Sequence, residues 1–334
     1  MQLTINVGLL PSLIVCTSFK GRSQRDSRKT RITRALPLLL FVTLSCVCSL
    51  AQVKNKMRAV EIPFDFHRNA IILQVKINGN GPFNMMLDTG TDPSAVELTT
   101  ARELGLKLIP LGSKLVGGGT EPQKVYGAYL PLVELGPLTV KNIEAVAIDL
   151  SKVSERLGKP LHGVLGHSLL KGRIVQIDYP NRTIRFYSQS PFAKSPKQSN
   201  TSNRTALSFR YVDNVLIDDV FVNGKKMVGN LDTGSNGTFA LTPAAVSFLG
   251  LEEEFNRAPV STDVGYNGVS ENRQGKLSNV TIGGVSVDSP AVVFFSKGTG
   301  RDKKPWGINI GNVFLKDFVV TIDYRKKLIT IERP

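Results

Sequence analysis

Met85-Met86-Leu87-Asp88-Thr89-Gly90-Thr91 is followed much later by Val228-Gly229-Asn230-Leu231-Asp232-Thr233-Gly234-Ser235, a second version of the same phrase. In each, an apolar approach runs into Asp-Thr-Gly and then a hydroxyl residue. That order describes a strand ending in a tight turn, with glycine where a side chain would clash. The aspartate is held at the strand end, and its small neighbours leave the carboxylate reachable. A single such tetrapeptide is an ordinary turn. Two copies in matching surroundings mean more.

The surroundings match on both sides. Residues 75–90 and 220–234 each read as strand, Asn-Gly turn, strand, with the turns at Asn78-Gly79 and Asn223-Gly224. Residues 98–106 and 241–251 read as short helices. Thr99 or Thr242 suits the N-cap, Pro243 the first helical position, and Gly105 and Gly250 the C-terminal cap. Residues 166–184 align without a gap with 311–329. The repeat is far longer than a solenoid period and amounts to one duplicated, domain-sized unit. Apolar residues alternate at period two in 71–77, 280–287 and 319–322, which predicts an all-β protein. The expected organisation is a leader over 1–51, one lobe over 52–187, a Ser/Asn/Lys/Pro-rich linker over 188–205, and a second lobe over 206–334.

The leader differs from the rest of the chain. Residues 20–34 hold seven Lys or Arg and one Asp, residues 35–51 hold no charge, and Ser49-Leu50-Ala51 ends in a small-x-small pattern. This predicts a signal peptide and an exported protein, periplasmic or extracellular. An uncleaved anchor or a lipid on Cys46 are the alternatives, and any membrane tether runs through this segment. All three cysteines (Cys16, Cys46, Cys48) lie in it, so a chain cut after Ala51 has no disulfide and no thiol nucleophile. The three histidines (His67, His162, His167) have no metal-ligand spacing, and His162 and His167 read as loop residues. No metal or other cofactor is expected. The formal charge of +15 includes the basic leader, and no Lys/Arg stripe interleaved with aromatics suggests nucleic acid. The basic runs at 301–304 and 325–327 read as solvated turns.

These residues carry a family resemblance. The chain resembles the aspartic proteases of the pepsin and retropepsin type, which carry two Asp-Thr-Gly-Ser/Thr loops. Over roughly residues 60–332 it looks most like bacterial single-chain retropepsin-like proteins, and the lack of cysteines beyond the leader favours that setting. The resemblance implies a bilobal fold with a cleft between two homologous β-rich lobes. It implies Asp88 and Asp232 as the catalytic pair. Thr89 and Thr233 would bond across to the opposite loop, Gly90 and Gly234 would form the turns, and Thr91 and Ser235 would support the outer carboxylate oxygens. Val164-Leu165-Gly166 and Asn309-Ile310-Gly311 look like the elements that cross beneath the aspartates, although Asn309 is polar where the pattern is apolar. The family also closes its cleft with a hairpin. Gly117-Gly118-Gly119 and Gly265-Tyr266-Asn267-Gly268 stand at similar distances after the two aspartates and are the candidates, as mobile tips.

The chemistry follows from the pair. Two carboxylates about 3 Å apart cannot both ionise, so they share a proton. One can then take a proton from water while the other donates to a scissile carbonyl. The expectation is an endopeptidase acting on peptide or protein substrates, active as a monomer because one chain holds both aspartates. The rival is a non-catalytic member of the fold that binds peptides or another protein. A β-rich wall- or surface-binding protein, the third class, leans only on export and charge. The repeated Asp178 and Asp323 precede hairpin turns and read as structural.

Overall fold

The computed structural model describes residues 59–114, 118–192 and 203–334. The leader and its cysteines therefore lie outside the described residues, as do Gly117 and most of the expected linker. Strand accounts for 53% of the structure and helix for 13%, in two sheets with six short helices. The protein is all-β and bilobal.

Each lobe starts with the predicted hairpin. Ala70–Ile77 pairs with Asn80–Leu87, and Val215–Val222 with Lys225–Leu231. Both connections are two residues long, with Asn78 and Gly79 at φ +52° and +77° and Asn223 and Gly224 at +48° and +76°. Two successive positive φ angles give the turn whose twist matches that of the flanking strands.

The second strand of each hairpin then gains a parallel neighbour from far along the chain. Met85, Met86 and Leu87 pair with Gly163, Val164 and Leu165, while Gly229, Asn230 and Leu231 pair with Ile308, Asn309 and Ile310. A third strand closes each set antiparallel, Ser94–Glu97 in the first lobe and Phe239–Leu241 in the second. A helix of four residues follows each crossing strand, His167–Leu170 and Asn312–Leu315.

The gapless repeat forms the floor beneath both lobes. Ile174–Asp178 pairs antiparallel with Val319–Asp323, and Gln176 faces Thr321 at the centre of that pairing. These two residues are equivalent positions of the repeat, so the pair lies on the pseudo-twofold axis; Gln176 donates to the Thr321 hydroxyl at 3.0 Å. Thr183–Tyr187 and Ala59–Pro63 extend the floor on one side, Leu328–Glu332 and Arg204–Tyr211 on the other. The chain is already in strand at Arg204, inside the stretch read as linker.

Asp178 and Asp323 accept backbone N–H bonds from their turns, at Asn181 and at Arg325 and Lys326. The main core runs continuously from Ile62 to Ile331 through both lobes. Ala70, Ile72, Met86 and Val164 belong to a separate apolar cluster, which buries the other face of the first-lobe strands.

Two local expectations change. The first helix, Leu98–Glu103, is capped by Glu97, whose carboxylate accepts from the Thr100 N–H; Thr99 lies inside the helix. A carboxylate at the positive helix end serves as well as a hydroxyl. The second, Pro243–Leu249, is capped by Thr242 and ends at a left-handed Gly250, as the sequence predicts. His167 opens a helix instead of lying in a loop, and its ring stacks on Tyr211 at 3.7 Å.

Candidate active site

Asp88 and Asp232 occupy the same place in each lobe. Asp88 donates its backbone N–H to the Leu165 carbonyl and Asp232 to that of Ile310, both at 3.0 Å. The crossing strands can approach so closely only through glycine. A Cβ on Gly166 would lie 2.3 Å from the Thr91 carbonyl oxygen, and one on Gly311 2.5 Å from that of Gly237.

The two aspartate turns then press against each other. A Cβ on Gly234 would sit 2.3 Å from the Asp88 carboxyl, and one on Gly90 2.9 Å from Asp232 Oδ1. Each carboxylate thus lies against the glycine of the opposite turn.

Thr89 and Thr233 hold this arrangement by a reciprocal exchange. The Thr89 hydroxyl accepts from the Thr233 N–H at 3.1 Å and donates to the Leu231 carbonyl at 2.7 Å. The Thr233 hydroxyl accepts from the Thr89 N–H at 3.0 Å and donates to the Leu87 carbonyl at 3.0 Å. Both threonines are fully buried, so these four bonds satisfy groups that water cannot reach.

The carboxylate oxygens are supported differently. Asp88 Oδ1 accepts the Gly90 N–H at 2.7 Å, and Oδ2 accepts the Thr91 hydroxyl at 2.6 Å and the Tyr266 hydroxyl at 2.9 Å. Asp232 Oδ1 accepts the Gly234 N–H at 2.9 Å, but its Oδ2 accepts the Asn309 amide at 2.9 Å. The Ser235 hydroxyl, expected at that position, lies beside Gly311 instead of on the Asp232 carboxylate, and Ser235 meets Asp232 only through its backbone N–H, which donates to the Asp232 carbonyl at 3.3 Å. Asn309, whose polarity breaks the sequence pattern, takes its place, and its own oxygen accepts from Asn230 at 2.6 Å.

Protein surrounds Asp232 closely enough that desolvation, followed by the charge of Asp88, pushes its pKa up to about 7. The Asn309 and Gly234 bonds pull the other way. At mildly acidic pH the Asp232 carboxyl is therefore held in its protonated form.

The two glycine-rich tips meet over this pair. Val260–Gly265 and Gly268–Lys276 form a hairpin with Tyr266 and Asn267 at its turn. Asn267 donates its N–H to the Gly118 carbonyl at 2.8 Å and accepts from the Glu121 N–H at 3.0 Å. Gln123 bonds the Tyr266 carbonyl at 2.7 Å. Gly118 and Gly119 pack directly on Gly265 and Asn267, with no room for a Cβ. The expected mobile tips are thus joined by backbone bonds, and Tyr266 reaches inward to Asp88.

Beneath them is a cavity of about 480 Å³ bordered by both aspartates, with Met86, Ile148, Phe295 and Trp306 among its apolar lining. Arg301, expected in a solvated turn, is instead packed in this cavity, with its guanidinium 4.0 Å from the Phe295 ring centre. The second basic run is also tied down: Arg325 donates to the carbonyls of Gly172 and Ser188. Among the described residues, no cluster of His, Cys, Asp or Glu is arranged to hold a metal ion, and no helix is long and apolar enough to cross a membrane.

The sequence profile of the aspartyl protease family matches residues 73–169 and again residues 219–311, together more than half of the chain. The chain belongs to the aspartyl protease family. The two matches each contain one Asp-Thr-Gly turn and the strand that crosses beneath it. Among solved structures, a retropepsin-like aspartic protease from Rickettsia conorii is similar, with 20% identity and a TM-score of 0.31, over 39% of this chain and 90% of that one. No curated protein matches the chain significantly.

Sequence reasoning missed Asn309, Tyr266 as a partner of Asp88, and Arg301. For Asn309 a signal was present: it is polar where the pattern is apolar, and another asparagine, Asn230, stands two residues before Asp232.

Proposed function

We propose that this aspartyl protease is an exported endopeptidase that cleaves peptide bonds through Asp88 and Asp232. The observation that carries the reading is the packing of each carboxylate against the opposite turn. With one proton between them, the ionised carboxyl takes a proton from a water. The water oxygen adds to the scissile carbonyl carbon as the protonated carboxyl gives its proton to the carbonyl oxygen. The resulting diol collapses when a proton passes to the amide nitrogen and the C–N bond breaks. No covalent intermediate forms. Thr91 and Asn309 hold the outer oxygens in place, and both aspartates come from one chain, which supports a monomer as the active species. Export is supported by the basic, then charge-free leader.

One observation favours a second reading, a cleft that binds peptides without cutting them: Tyr266 holds an Asp88 oxygen under joined tips. Incubation with a denatured protein across a pH series separates the two. Cleavage that disappears in Asp88→Asn supports the endopeptidase; peptide binding without cleavage at any pH supports the rival.

A further inference from the structure

Arg301 is out of place electrostatically. Its side chain lies in the cavity, stacked on Phe295 and pressed against Gly118 of the first tip, where a Cβ would come 2.2 Å from Nη2. Its Nη1 is buried with no hydrogen-bond partner. It forms no ion pair among the described residues. The carboxylates that act on it from a distance are Asp263 and Asp232. Asp263 is occupied by the Asn272 amide at 2.7 Å, and Asp232 by Asn309 and Gly234. Asp302, next in sequence, is exposed and accepts from the Gly298 N–H.

A second donor on the same wall is also unused. Trp306 is buried, borders the cavity, and shares an apolar cluster with Phe295, but its indole N–H has no partner. Lys304 lines the cavity from its exposed side. This wall therefore offers a guanidinium, an indole N–H and an ammonium; Asp213 on the same cavity attracts Lys304 from a distance without an ion pair among the described residues, and Asn230 Oδ1 is a neutral acceptor without a partner. A desolvated guanidinium without an acceptor is costly, and the cost is recovered when a carboxylate fills the site. The rigid fork of arginine, fixed flat on an aromatic ring, suits a planar carboxylate better than a flexible lysine would.

We propose that Arg301, with Trp306, forms a carboxylate-accepting subsite beside Asp232, so that the cleft selects peptides carrying an acidic group next to the bond it holds. This rests on the peptide-cleft reading and adds the substrate class to it. The carboxylate comes either from a Glu or Asp side chain or from a peptide C-terminus, and the experiment separates these. A purely structural Arg301 would support the tip through Gly118, and its loss would lower stability without changing any preference between acidic and amide peptides.

The test uses the full chain carrying Asp88→Asn, so that binding is read without turnover. The probes are fluorescent, N-acetylated peptides that differ only by Glu or Gln at one scanned position, each as the free acid and as the C-terminal amide. The expected result is that, at one position, Glu binds about tenfold or more tighter than Gln, the value of a charge-assisted bond. Arg301→Gln should abolish that preference, weakening the Glu peptide about tenfold more than the Gln peptide. Arg301→Lys should keep part of it, and Trp306→Phe, which removes the donor and part of the ring, should weaken it. Melting temperatures show that each variant is folded. If the preference follows the free C-terminus instead of the side chain, the subsite is confirmed with a terminal carboxylate as its ligand. Equal or undetectable binding of the acidic and amide series overturns the proposal, as does a preference that survives in folded Arg301→Gln. A wild-type chain that cuts peptides with no acidic preference overturns this subsite alone. One that binds acidic peptides and cuts none overturns the endopeptidase reading and keeps the subsite.

Discussion

At equivalent positions beneath the two aspartates, the lobes use opposite chemistry. In the first lobe Met86 faces Val164, an apolar pair in the cluster that also contains Ile72. In the second, Asn230 faces Asn309, joined by a 2.6 Å hydrogen bond, with Asn309 reaching on to Asp232. Backbone register, crossing strand and glycine approach are the same in both. A duplicated backbone therefore fixes where the carboxylates stand, and the side chains beneath them decide whether a carboxylate receives a hydrogen bond from below. Support reaches Asp88 from Thr91 and Tyr266 above, and Asp232 from Asn309 below.

The largest effect should ignore this difference. Asp88→Asn and Asp232→Asn should each reduce peptide turnover by about 10² to 10⁴-fold, since each removes one member of a proton-sharing pair. The double variant should be scarcely worse than either. If one variant kept more than about a tenth of wild-type turnover, the lobes would not be equal partners in chemistry. The variants should differ in stability, however. The raised pKa of Asp232 means that the folded chain prefers the neutral carboxyl. Its contribution is full below about pH 4 and is lost as pH rises toward 7. Thermal melts of Asp232→Asn should lack that loss.

Tyr266 supplies the next contrast, because only Asp88 carries a tyrosine on its oxygen. A hydrogen bond to a charged group is worth about 1.5–3 kcal/mol. Substrate must displace it, so Tyr266→Phe should raise kcat/KM by about tenfold, measured on a short peptide. A decrease of similar size would mean that the hydroxyl serves the reaction instead of opposing substrate.

The threonines should restore symmetry. Thr89→Val and Thr233→Val each strand a buried N–H and a buried carbonyl, at about 1–3 kcal/mol per group. Denaturant melts should show equal losses; a loss confined to one would show that a single lobe carries the junction.

The smallest effect sharpens the comparison most. Asn309→Val combined with Asn230→Met gives the second lobe the first lobe's pair. Without the amide on Oδ2, the Asp232 carboxylate is less favoured, so the alkaline limb of the pH–rate profile should move up by about one unit. An unmoved limb would separate Asn309 from the titration.

Much of this was legible because it is local or repeated. The Asn-Gly turns, the Thr242 cap and the floor strands need only a few neighbouring residues or an alignment of the chain with itself. The rest depends on residues far apart in sequence. Ser235 matches the motif, yet the oxygen it was expected to support is taken by Asn309, whose place is set by a parallel strand pairing. Arg301 stands in a basic run that looks like solvent-facing sequence. Only the fold shows Phe295 beneath its guanidinium and Gly118, from the other lobe, against it. The glycine-rich tips were recognisable individually, but their bonds to each other were not.

The crossed threonines also bear on when, during synthesis, the paired turns can form. Each turn is completed by a hydroxyl from the other half: Thr89 binds the Leu231 carbonyl, and Thr233 that of Leu87. As the polypeptide leaves the ribosome, its first half carries a carboxylate with no counterpart and a turn with unmet backbone groups. Ile310, which receives the Asp232 N–H, comes later in the chain than either Asp-Thr-Gly turn. The paired turns can thus be completed only after the chain through Ile310 has been made, and a chain that stops before Asp232 holds one turn without its partner.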